Sequence, residues 1–515
     1  MGQMVFFAEF LNVAGVFEAW AQDCPLNYTS PNAPSVHDVL GTWMMSALAG
    51  HKRYAHVAAL RSDKASAEVL GIKRILSDDA LRRALTAIAD TEGSGVSWMR
   101  SHLKHSVQAV LNVPWILDID TTSKLLYGKQ AGAEISYNPR KPGRPSHAVH
   151  TYWIGNLRLV LDVQVQSGKS HTASHSLPGL LDLLREMNAH ERPQFVRGDC
   201  AFGNERVMGE LELIEQPYLF KLKQSAGVKR LIERQFKREG WQDAGQGWQG
   251  LEDELKLMGW SQARRVVVLR RALRSNVVLE RVASERAQQE IIFADENQPI
   301  KVWEYAVLVT NTQHSVIALG QLYRDRADCE NGFDELKNQW GLSGYSTQDI
   351  ERCDLSAKAV ALIYNWWSWY CRMAHPSARL EAVTSRPLLL AAVGRMTRHA
   401  GQTHLVLTAM HAGSKTIKAM IASIRKGLQH IREAAPQLQP GQRWQALLRY
   451  IIGKILAFAP HAQTPLVLNQ GVTEEFRINC ADFRSSRNCP APPSGFYPVR
   501  ARRGDRCLPD TRCHA

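Results

Sequence analysis

Cysteine is scarce, nine in 515 residues, and no two form a Cys-x-x-Cys pair. The His and Cys positions also lack zinc-ligand spacing, so a disulfide framework and a zinc module are both excluded. Cys200, Cys329 and Cys371 sit in apolar or helical contexts and read as small core residues in a reducing compartment. Long hydrophobic runs are missing too. The longest, residues 357–371, is too short to span a bilayer and is broken by Asn365. The N-terminus has no basic segment before its apolar stretch, Glu9 interrupts that stretch, and Phe6 breaks the myristoylation pattern. The expectation is a soluble, intracellular protein. Acidic residues are outnumbered, 49 against 63 Lys and Arg, giving a formal charge of +14. With no lipid anchor in sight, the polyanion this implies is nucleic acid rather than a membrane.

The length predicts two to four domains, and no internal repeat is evident. One stretch organises the rest. Residues 323–337, YRDRADCENGFDELK, carry a helical pattern. At roughly 100° per residue, Tyr323, Arg326, Glu330 and Lys337 lie within about 60° of one another. Leu322, Cys329, Phe333, Leu336 and Trp340 form an apolar stripe beside them. A carboxylate between cations on the rim of a buried face suits a metal ligand next to phosphate; a solvated helix with i,i+4 charge pairs is the alternative.

That spacing, Tyr-x2-Arg-x3-Glu-x6-Lys, resembles the signature helix of a group of bacterial insertion-sequence DDE transposases, over roughly residues 40–460. The resemblance implies an α/β fold of RNase H-like (retroviral integrase-like) type. It comprises a mixed sheet with helices, interrupted by a mostly β insertion domain and flanked by helical N- and C-terminal regions. It makes Glu330 the third metal-binding acid.

The chain order agrees with that reading. Residues 1–105 look helical, as a candidate DNA-end-binding region; 65–84, with Gly71 between two short helical patterns, allow a helix-turn-helix or an ordinary bundle. The core's first part spans 106–215. Residues 115–120 are a short strand delivering Asp120, with Asp118 on the same face. Residues 147–154 and 157–166 form a hairpin, 177–187 a helix, and 194–198 a strand delivering Asp199. The proline-rich loop at 137–147 carries Arg140, Lys141 and Arg144, candidate contacts to the DNA backbone. Residues 216–311 read as the β-rich insertion, with strands at 218–223, 265–270, 276–281 and 303–310. By resemblance, Trp303 or Tyr305 takes a flipped base, half-buried strand positions being the plainer reading. The second core part is 312–375, a basic helical region 376–460, and a disordered tail 461–515 holding four cysteines.

Asp120, Asp199 and Glu330 are expected to hold two Mg²⁺ ions, for which Mn²⁺ may substitute, about 3.5–4 Å apart in such sites. Asp120 is preferred to Asp118 because Asp-Thr-Thr matches the family motif, and Glu330 to Asp334 by the signature spacing. Tyr323, Arg326 and Lys337 would grip phosphate. The implied function is cutting the element's ends and joining them to target DNA, cut-and-paste through a hairpin. The implied partners are double-stranded DNA, as terminal inverted repeats and target, and a second copy of the chain, in a bacterial cytoplasm at the nucleoid. The alternatives are an RNase H-fold endonuclease without strand transfer and a catalytically inactive DNA-binding relative.

Overall fold

The computed structural model describes residues 1–458 apart from 92, 137, 139–140, 171, 274–301, 392–393, 401 and 408–412. Arg140, the strand expected at 276–281 and the tail 461–515 with its four cysteines lie outside the described residues.

Six helices open the chain: α1 (Met4–Ala14), α2 (Val16–Gln22), α3 (Val36–Leu48), α4 (Lys64–Val69), α5 (Asp78–Ala89) and α6 (Ser94–Leu111). The caps follow the sequence signals. Ser35 accepts from the Asp38 amide, and Ser77 from the Ala80 amide. The helix-turn-helix expectation is not met. The helix α4 has only six residues, and residues 70–77 separate it from α5, whose Leu81, Ala84, Leu85 and Ile88 are buried in the core.

The sheet then begins with β1 (Ile116–Leu125), β2 (Glu134–Ile135), β3 (Pro145–Ile154) and β4 (Leu159–Ser167). After α7 (Ala173–Arg185) come β5 (Phe195–Gly198), α8 (Glu205–Leu213) and β6 (Tyr218–Lys221). β4 pairs antiparallel with β3, and β3 antiparallel with β1; β1, β5 and β6 run parallel in that order. An antiparallel meander followed by two parallel crossover strands is the RNase H-like topology expected.

The segment between the second and third acids is β-rich, as its pattern predicts. After α9 (Ala226–Phe236) it forms β7 (Gln242–Gly245), β8 (Trp248–Leu255), β9 (Arg264–Ala272) and β10 (Trp303–Thr310). These strands make no sheet of their own. β10 pairs with β6, and β9, β8 and β7 follow outward, so the core sheet simply continues.

Period-two alternation divides the sheet's side chains between two cores. Leu117, Ile119, Val196, Tyr218, Phe220, Val266 and Val268 join the large core with the N- and C-terminal helices. Ile116, Phe195, Leu219, Val267, Leu269 and Leu308 face the other way, under Val316, Leu319 and Leu322 of α10 (Val316–Arg324). The helix α11 (Ala327–Gln339) follows, then α12 (Ile350–Ala374), which is apolar on nearly every side and buried accordingly. Asn365, the residue that interrupts its apolar run, bonds both the N–H (2.9 Å) and the C=O (2.7 Å) of Val160 in β4.

The C-terminal region departs from the all-helical expectation. Between α13 (Ala382–Leu389) and α14 (Ser414–Ala434) lies a hairpin, β11 (Gly394–His399) with β12 (Gln402–Leu407), and α15 (Pro440–Phe458) ends the described chain. The β-branched Thr397, Thr403 and Val406 and the positive φ of Ala400 (49°) favour a tight hairpin there. Among the described residues no single helix is long and apolar enough to cross a membrane. The pair α1 and α2 passes only together, bent by 68°.

The helix α11 lies against the sheet through Gly332 and Phe333. The Phe333 ring meets Trp153 of β3 edge-on at 5.7 Å, and a Cβ on Gly332 would sit 3.0 Å from the same indole. Trp153 is itself buried and cannot retreat. Gly332→Val is therefore expected to destabilise the fold by about 1–3 kcal/mol, read as a lower denaturation midpoint.

Candidate functional site

β1 is longer than the sequence suggested. It does not end at Asp120 but runs on to Leu125, held by β3 on one side: Asp120 faces Thr151 and Thr122 faces Val149. On the other side its pairing with β5 stops at Asp118, opposite Arg197, because β5 is only four residues long. Extending that parallel register by two residues sets Asp120 beside Asp199. By alternation Asp118, Asp120 and Arg197 share the Ile116–Phe195 face, the one covered by α10; Asp199 is the first residue past β5, and its charge acts on Asp120.

The helix expected over 323–337 is broken. Tyr323 belongs to α10, and Glu330 and Lys337 to α11, with Asp325 and Arg326 between. Both linking residues keep right-handed helical angles, but the hydrogen bonds tighten: the amides of Arg326, Asp328 and Cys329 bond three residues back instead of four. Across the break Arg326 still reaches Glu330, and Lys337 reaches β1 at Thr122.

Arg326 is the hub. Its guanidinium donates to Asp120 Oδ2 (2.8 Å) and to Glu330 Oε1 (3.3 Å). Asp120 is largely buried, with its side chain 17% exposed, whereas Glu330 is 68% exposed. Burial pushes the Asp120 carboxyl up to about 6; Arg326 opposes this, while Asp199 and Glu330 add to it. The three acids therefore share one electrostatic neighbourhood, with more negative charge than Arg326 neutralises. Burial would lower the Arg326 pKa, but Asp120 and other negative neighbours hold it above its ordinary value. Tyr323 is raised by burial, Arg326 opposing and Asp199 reinforcing, so its phenol stays a proton donor. Lys337 donates to the Thr122 hydroxyl, two residues beyond Asp120.

Both competing acids are committed elsewhere. Asp118 is fully buried and paired with Arg197, with Nη2 2.6 Å from Oδ2. Asp334 is exposed and accepts from Asn338 at 2.7 Å. In the 137–147 loop, Lys141 Nζ lies 3.2 Å from the Tyr127 hydroxyl, and Arg144 stacks 4.9 Å over the same ring, which is 66% exposed.

One expected contact is corrected. Tyr305 is buried on the large-core face and interacts with Arg270, so its ring does not face a base. Trp303 is half-buried, with Arg270 stacked 4.5 Å over it and Trp241 against the other side of that guanidinium at 3.8 Å. The exposed Lys415, Lys418, Arg425, Lys426 and Arg432 do form a basic face on α14. Sequence reasoning missed Arg197 and Tyr127. The signal for the first was a lone cation inside an apolar strand, in register with Asp118.

An oxygen-only donor set of three carboxylates, one of them with its charge disfavoured by burial and further by its acidic neighbours, fits a hard divalent cation in chemistry. It is not a closed cage: among the described residues no three His, Cys, Asp or Glu side chains are grouped tightly enough to hold a metal as they stand. Arg326 occupies the bridging position between two of them.

Residues 4–429 match the family described as transposase DDE domain group 1. The chain belongs to the DDE transposases. It is thus an enzyme that acts on DNA. Among solved structures this transposase is similar to a piggyBac transposase synaptic complex with hairpin DNA, at 12% identity and a TM-score of 0.35, over 92% of this chain and 88% of that one. No curated protein sequence matches it.

Because the Asp120 pKa is raised on folding, the folded chain binds more protons than the unfolded one between about pH 4 and about pH 6. Stability of the metal-free protein should fall as pH rises through that window. Asp120→Asn should remove this dependence and raise stability at pH 7 by on the order of 1 kcal/mol, measured by denaturant titration without divalent ions.

Proposed function

We propose that this transposase cuts DNA ends by metal-dependent hydrolysis and joins the freed ends to target DNA, with Asp120, Asp199 and Glu330 as its catalytic acids. The observation that carries the reading is the shared field of these three carboxylates around Arg326 on one face of an RNase H-like sheet.

Asp120, Asp199 and Glu330 would hold the divalent ions, Mg²⁺ or Mn²⁺, which when bound would activate the attacking oxygen and stabilise the leaving one. Water attacks the phosphodiester phosphorus and the 3′-oxygen leaves, giving a 3′-hydroxyl and a 5′-phosphate. That 3′-hydroxyl then attacks a second phosphodiester, losing its proton as the new bond forms, while the 3′-oxygen of the attacked phosphodiester leaves and takes up a proton as a new 3′-hydroxyl. Arg326 has donors enough to exchange Glu330 for a non-bridging phosphate oxygen while keeping Asp120. Tyr323 donates its phenolic hydrogen to phosphate. Lys337, beside Thr122, contributes positive charge two residues along β1 from Asp120. Lys141 and Arg144, displayed on Tyr127, take the flanking backbone, and the α14 cations extend the basic surface. The resemblance to bacterial insertion-sequence enzymes carries the proposal on to a homodimer at paired ends and a hairpin intermediate. Trp303, once Arg270 moves aside, is the aromatic left for an extruded base.

Incubation with the DNA flanking its own gene and Mg²⁺ should give nicked, hairpin and joined products, resolved on denaturing gels. Asp199→Asn should lower nicking by more than about 100-fold; undiminished nicking would remove the site assignment. Joining of pre-cut ends separates a transposase from an endonuclease that only cuts. Lys141→Ala with Arg144→Ala should weaken DNA binding and flatten its salt dependence by about two counterions, with no change in products.

A further inference from the structure

The break between α10 and α11 leaves a backbone carbonyl without its helical partner. In a continuous helix the Arg326 amide would bond Leu322 O; here it bonds Tyr323 O at 3.1 Å. Arg197 Nη1 donates to Leu322 O instead. The rest of that guanidinium is held by Asp118, which accepts from both Nε and Nη2. Both side chains are at most 2% exposed. The space behind them is closed, because a Cβ on Gly155 would lie 2.2 Å from Asp118 Oδ2 and 3.1 Å from Arg197 Nη2.

We infer that Arg197, oriented by Asp118, is a positioning residue: by capping Leu322 O it holds the α10–α11 break, and so sets where Arg326 and Glu330 stand relative to Asp120 and Asp199. The capped carbonyl lies four positions before Arg326. A buried ion pair that served stability alone would have no need to reach a helix end, and an apolar pair of similar volume would often replace it at little cost. Here the guanidinium spans β1, β5 and α10 at once, and no apolar side chain can donate to Leu322 O. The inference rests on the proposed roles of the three acids.

The test compares wild type, Asp118→Leu with Arg197→Met, and Arg197→Lys, with Asp199→Asn as reference. Lys keeps the charge opposite Asp118 but has no planar fork to serve the carboxylate and the carbonyl together. The readouts are thermal unfolding, Mn²⁺ binding to the DNA-free protein by loss of the free-ion paramagnetic signal, DNA affinity without metal, and nicking rate. The expected result is a folded protein with Mn²⁺ binding weakened about 10–100-fold and nicking slowed to a similar degree, while DNA affinity, carried mainly by Lys141, Arg144 and the α14 cations, falls far less, by no more than the one contact of Arg326. If the apolar pair does not fold, Arg197→Lys carries the same expectation. Folded variants that bind Mn²⁺ and nick like wild type, while Asp199→Asn does neither, would overturn the inference alone. Wild type that neither binds Mn²⁺ nor nicks would instead overturn the reading of the acids. Variants that lose DNA affinity in step with Mn²⁺ binding would show a general structural role and also overturn it.

Discussion

The parallel pairing of β1 with β5 is what the site is built on. It is short, three residue pairs ending at Asp118 opposite Arg197. Within it the two strands exchange backbone bonds. Just past it come Asp120, still in β1, and Asp199, the first residue after β5, whose charge acts on Asp120. A slip of one residue in β1 would send Asp120 into the large apolar core and bring Ile119 to the helices. The buried Asp118–Arg197 pair opposes such a slip, since either partner alone would be an uncompensated charge in the interior. Register, charge pairing and helix placement thus specify one another.

Much of this was legible in the chain. Alternating apolar residues marked the core strands, and the acids at 120 and 199 stood where those patterns changed. The Tyr-Arg-Glu-Lys spacing pointed to Glu330 and Arg326, which do bond each other. What could not be read was tertiary. The extension of β1 beyond Asp120 depends on β3 lying alongside; Thr121–Leu125 alone carry no pattern that distinguishes a strand from a capped turn. The break at Asp325–Arg326 is invisible for a similar reason. Neither glycine nor proline marks it and its dihedrals remain helical; it shows in the tightened backbone bonds and in the side chain that reaches Leu322 O from a strand distant in sequence. Tyr305 alternates correctly, but alternation does not say which face of the sheet is covered.

The site also shows how catalytic potential and stability oppose each other. Asp120 is buried among acids with Arg326 as its near countercharge, and burial disfavours its ionised form. Replacement by an uncharged residue would relax the fold. Such unfavourable placement is common where a group must accept a cation or proton during turnover. Around it the structure is firm: Trp153 beneath Gly332, Asn365 bonded to both backbone groups of Val160, and a hydrogen-bonded guanidinium at the helix end.

The strands that follow β6 share its backbone ladder, with Leu308, Val309 and Thr310 paired to Lys221, Phe220 and Leu219. A module tethered by loops can swing on its linkers at small energetic cost. A module welded edge-to-edge cannot, because each degree of rotation about that seam would break peptide hydrogen bonds in the centre of the molecule. The outer four strands and the acid-bearing ones therefore move as a single twisted plate. Anything bound at the far rim would therefore sit at a set distance from Asp120, like stock clamped to the bed of a tool.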